Sequence, residues 1–63
     1  MAKRTSTAEV YRRRIFQMLL AADELIAEGN REAGIGIYET ASLIVRNAEQ
    51  AEQIRRVLAG VTR

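Results

Sequence analysis

Three consecutive arginines, Arg12, Arg13 and Arg14, are the first residues in this chain whose type and spacing could do chemistry. Lys3 and Arg4 precede them, and Arg55, Arg56 and Arg63 stand near the other end. Cationic side chains at this density attract phosphates. A nucleic-acid contact through Lys3, Arg4, Arg12, Arg13, Arg14, Arg55 and Arg56 would weaken steeply with salt, because each neutralised phosphate releases counterions. Successive helical residues point about 100° apart, so three adjacent arginines fan around a helix and make no flat reading face. The same charges also suit a plainer role, which is to orient one copy of the chain against the acidic part of another.

The carboxylates offer less. Glu24, Glu28 and Glu32 recur every four residues and Glu49 and Glu52 are three apart. Di-metal sites of helical bundles pair such glutamates with a histidine three residues on, and the chain has no histidine. It has no cysteine either, which removes thiol nucleophiles, histidine triads and Cys/His zinc sites. An acid/base pair at Asp23 and Glu24 would need burial in a cleft. Gly34 and Gly36 lack the preceding strand, third glycine and Lys-Ser/Thr of a phosphate loop. No catalytic residue, metal or cofactor is expected. A DNA-reading helix starting near Tyr38 would offer Glu39 and only Arg46 to a phosphate-lined groove.

The elements that position these residues read as all-α. Sixty-three residues allow one small domain. Ser6 and Glu9 are spaced as a capping box, after a basic arm over residues 1–6. Ala8, Tyr11, Ile15, Met18, Leu19, Ala22, Leu25 and Ile26 then follow one helical stripe. Gly29 supplies a left-handed helix end, and Asn30 stands where it can cap the next helix. A second helix starts near Asn30 or Arg31, with Ile37, Ala41, Ile44, Ala48, Ala51, Ile54 or Arg55, and Leu58 on its face and Gly60 as its terminator. Asn47 and Gln50 are spaced like a weaker capping box, which leaves open a break there and a short third helix. The domain spans residues 7–60, and 61–63 form a tail.

Within this hairpin, Ala22, Leu25, Gly29, Gly34, Tyr38 and Ala41 fall at spacings that resemble a single tetratricopeptide hairpin. The resemblance covers about a third of the chain. Ala21 stands where that family has a larger residue, and Arg46 where it has proline. It implies close helix packing at small residues; Ala48 and Ala51 are expected on the same contact faces.

Charge is unevenly spread. Residues 1–14 carry five basic residues against one acidic, residues 15–54 two against seven, and residues 55–63 three against none. In a hairpin the first helix starts where the second ends, so Arg55, Arg56 and Arg63 are expected at the end that carries Arg12, and folding gathers a basic pole.

A second apolar face completes the reading. Phe16 and Leu20 lie one turn apart and off the main stripe, with Leu43 and Val57 beside the seam of the second half. They fit the wide core of a homo-oligomer, a docking groove for another protein, or exposed side chains without a role. A chain this small without disulfide or metal is expected to gain stability by association. The expectation is therefore an antiparallel helical hairpin that self-associates into a bundle, a dimer by preference. It would act as a non-catalytic protein-interaction or regulatory module, with nucleic-acid binding at the basic pole as the alternative. Membrane association is disfavoured: the longest apolar run, Ile15 to Ala22, contains Gln17 and stops at Asp23. Thr5, Ser6 and Thr7 follow Lys3 and Arg4 where a secretory signal would be apolar, so a cytoplasmic location is the default expectation.

Overall fold

A computed structural model describes residues 7–61. The basic arm, Lys3, Arg4, Arg63 and the Ser6 half of the capping box lie outside the described residues. Three helices follow one another: α1 (Thr7–Ala27), α2 (Arg31–Ile44) and α3 (Ala48–Val61). The fold is all-α and opens with the expected antiparallel α1–α2 hairpin. Among the described residues, no helix is long and apolar enough to cross a membrane.

α1 follows its stripe closely. Ile15, Leu19 and Ala22 are buried, Tyr11, Met18, Leu25 and Ile26 are half-buried, and Ala8 is exposed at the first turn. The helix ends as its glycine requires. Gly29 has φ 93°, its N–H donates to the Ile26 carbonyl at 3.1 Å, and the Asn30 N–H donates to the Leu25 carbonyl at 2.8 Å. That pair of reversed bonds is a Schellman motif, which satisfies two carbonyls that the last turn would otherwise leave bare.

α2 starts at Arg31, as expected, but Asn30 does not act as foreseen. It occupies the N-cap position without a side-chain cap hydrogen bond. The buried face also differs by one residue from the expected Ile37–Ala41–Ile44 line. Gly34, Tyr38 and Ala41 are buried, while Ile37 and Ile44 flank the core. Backbone proximity explains this: a Cβ on Gly34 would lie 2.5 Å from Ile26 Cγ1 and 2.7 Å from the Ala22 carbonyl oxygen. Only glycine lets α1 and α2 meet there, and that contact fixes which side of α2 faces inward.

The chain breaks at residues 45–47. Val45 adopts an extended conformation, φ −65° and ψ 139°, while its N–H still closes on the Ala41 carbonyl at 2.9 Å. Asn47 then caps α3 by accepting the Gln50 N–H on its Oδ1 at 3.0 Å. The break left open at Asn47 is therefore present, the second half is not one continuous helix, and the third helix is not short: at 14 residues it is as long as α2. Because the break resets the helical phase, Ala48 is exposed, contrary to the expected contact face, and Ala51 is half-buried. Gly60 does not terminate the helix either. It lies within α3 without a positive φ.

The core joins all three helices: Ile15, Leu19 and Ala22 of α1, Tyr38 and Ala41 of α2, and Ile54 of α3. Met18, Ile26, Ile37, Ile44, Val45, Val57 and Leu58 pack around it. α1 rests chiefly on α2, α3 rests on α2, and α1 meets α3 only slightly. The gap left by that last, weak contact is where the site lies.

Candidate interaction groove

The groove between α1 and α3 is floored by Phe16, Leu19 and Leu20. Glu9, Arg12, Arg13 and Asp23 of α1 form one rim, and Asn47, Glu49, Gln50 and Gln53 form the other. Leu19 is 4 % exposed because it belongs to the core, whereas Phe16 and Leu20 are 57 % and 50 % exposed. α1 is therefore apolar on two sides, and α2 and α3 cover one of them.

Gln50 holds the two walls together. Its backbone N–H closes the Asn47 cap, and its Nε2 donates to the Arg12 carbonyl at 2.9 Å. Its Oε1 is buried and accepts no hydrogen bond among the described residues. A buried acceptor without a donor carries a desolvation cost. Beside it, the Arg46 guanidinium carbon sits 4.6 Å from the centre of the Tyr11 ring. This cation–π contact ties the 45–47 link to α1.

Charges at the groove are of mixed sign. Asp23 accepts the Tyr38 hydroxyl at 2.5 Å on its Oδ1. Burial, helped by that hydrogen bond and by the negative charge of Asp23, pushes the Tyr38 hydroxyl up to about 12. Arg12, Arg13 and Arg14 are exposed, and none forms an ion pair among the described residues. Arg12 and Arg13 face the groove, while Arg14 is not part of its lining, in keeping with the expected fan of the triplet. Further along α3, Arg55 and Arg56 share Glu52. Hydrogen bonding from Arg55 holds the Glu52 carboxyl below its usual range, with help from Arg56.

Of the residues expected at an interface, the structure brings Phe16 and Leu20 together. Leu43 is 85 % exposed on α2 and does not line the groove. Val57 is half-buried against the core, at a shallow depression with Ala48, Glu52 and Arg56. α3 begins at Arg12 through Gln50, and Arg55 and Arg56 stand beyond that contact. Sequence reasoning missed Gln50 as a bridge and Arg46 as a ring partner. The Asn47–Gln50 spacing was the one available signal, and it identifies the cap but not the reach to Arg12.

In comparisons with known proteins, no family model matches the chain, and neither a curated protein nor a solved structure matches it. What the structure does show is close helix packing at small residues, with Gly34 seated against Ala22.

Proposed function

We propose that this protein is a small, non-catalytic protein-interaction or regulatory module, cytoplasmic, acting as a homo-oligomeric helical bundle through the α1–α3 groove. One observation carries the reading: Phe16 and Leu20 stay half or more exposed in a groove rimmed by charged and amide side chains. An apolar floor with a polar rim is the anatomy of a protein–protein contact. The experiment is light scattering with circular dichroism on Phe16→Ala combined with Leu20→Ala. The variant should keep its helix content and lose association. A wild-type chain that never associates, or a variant that unfolds, overturns the reading.

The alternative is a nucleic-acid-binding regulator using Lys3, Arg4, Arg12, Arg13, Arg14, Arg55 and Arg56. What favours it is that Arg12, Arg13 and Arg14 are exposed without a carboxylate partner among the described residues. It requires binding to a labelled duplex that collapses with added salt and with Arg12→Ala plus Arg13→Ala, in a chain that stays folded.

A further inference from the structure

Resting on the interaction-module reading, we propose that the occupant of the groove is a second copy of this chain, paired antiparallel along α1 about a two-fold axis at Met18. Glu9, Arg13, Phe16, Leu20, Asp23 and Ala27 are spaced four, three, four, three and four residues apart. That is a heptad seam, distinct from the Ile15–Leu19–Ala22 stripe that faces the core. All of the seam except Ala27 lines the groove.

The seam is its own complement when reversed. Turning a second α1 about position 18 sets Phe16 against the partner's Leu20 and Leu20 against the partner's Phe16. The same operation sets Arg13 against the partner's Asp23, and Asp23 against the partner's Arg13. A two-fold interface must be self-complementary in this sense. A parallel pair would instead stack arginine on arginine and carboxylate on carboxylate, so charge selects the antiparallel arrangement. Asp23 can serve both neighbours: Tyr38 takes one lone pair of Oδ1, and a carboxylate has about four acceptor positions. The apolar centre is small, so the dimer is one that dissociates on dilution.

Sedimentation equilibrium on the full chain tests this across concentration and salt. Wild type should show a monomer–dimer equilibrium that weakens as salt rises. Arg13→Glu places two carboxylates face to face at both ends of the seam. It should weaken dimerisation by about tenfold or more, and its residual pairing should strengthen with salt as repulsion is screened. This reversed salt response is one that mere loss of packing would not produce. Gln17→Cys supplies a single thiol beside the axis, and mild oxidation should link it efficiently into a dimer. Val10→Cys should stay unlinked, because its two copies would stand about 24 Å apart along the helices. A chain that associates while Arg13→Glu is without effect, or in which Val10→Cys links as well as Gln17→Cys, overturns this pairing and leaves the interaction-module reading standing. A wild-type chain that is monomeric throughout overturns both.

Discussion

The Tyr38 hydroxyl donates to Asp23 Oδ1 at 2.5 Å, fifteen positions back along the chain, and so joins the deepest aromatic of α2 to the rim of the α1 groove. Tyr38 is 1 % exposed. A buried phenol needs a partner for its hydroxyl, and Asp23 provides one while remaining at the surface.

This bond makes stability depend on alkaline pH. Burial and Asp23 raise the Tyr38 hydroxyl from 10.0 to about 12. The unfolded chain therefore loses the phenolic proton first. The contribution is fully present below 10.0 and is lost as pH rises through about 12. Thermal melts across that window, followed by helicity and phenolate absorbance together, should show the decline in wild type. Tyr38→Phe should cost about 1 kcal/mol at neutral pH and flatten the alkaline decline. An unchanged pH profile in Tyr38→Phe would assign the effect to other groups.

Two glycines of α2 should respond oppositely to the same substitution. Gly34→Ala gains helix propensity, but its Cβ meets the Ala22 backbone oxygen, which cannot step aside alone. The net result should be a loss of about 1–3 kcal/mol as α2 is pushed off α1. At Gly36 a Cβ meets nothing within 4 Å, and Gly36→Ala should stabilise by about 0.5–1 kcal/mol. Urea denaturation of both variants separates them by sign. Destabilisation at both positions would mean that propensity and space do not govern α2.

The same two glycines show what periodicity could and could not reveal. α1 was legible because its apolar residues follow one stripe and its end carries a glycine with positive φ. In α2, Ile35, Ile37, Tyr38, Ala41 and Ile44 crowd several faces, so two neighbouring stripes satisfy the spacing equally well. What chooses between them is the fit of Gly34 against Ala22, a three-dimensional fact. The Phe16–Leu20 pair was readable as a surplus face, but its opposite wall was not. Gln50 reaches Arg12 across 38 positions, and nothing local in the sequence marks that partner.

Asn47 and Asn30 both precede helices, yet only one of them caps. Asn47 Oδ1 accepts the Gln50 N–H at 3.0 Å, whereas Asn30 makes no side-chain cap bond. Asn47→Ala should cost about 1 kcal/mol, the usual loss on removing an N-cap. Asn30→Ala should fall within about 0.5 kcal/mol of wild type. Because Gln50 spans both the cap and the groove wall, Asn47→Ala should also raise amide exchange in the first turn of α3. Equal effects at the two asparagines would remove the distinction.

Arg46 gives the last contrast, between charge and shape. Its guanidinium carbon lies 4.6 Å from the Tyr11 ring centre, and Arg46 itself is exposed while Tyr11 is half-buried. An exposed cation–π contact is worth about 0.5–1 kcal/mol. Arg46→Ala should lose that amount, read as a lower denaturation midpoint at an unchanged slope. Arg46→Lys keeps the charge but not the planar group that stacks on a ring, so it should recover only part of the loss. Complete recovery by lysine would show that charge alone holds the 45–47 link against α1. No loss in Arg46→Ala would show that Asn47 and Gln50 position the groove wall without help from the ring.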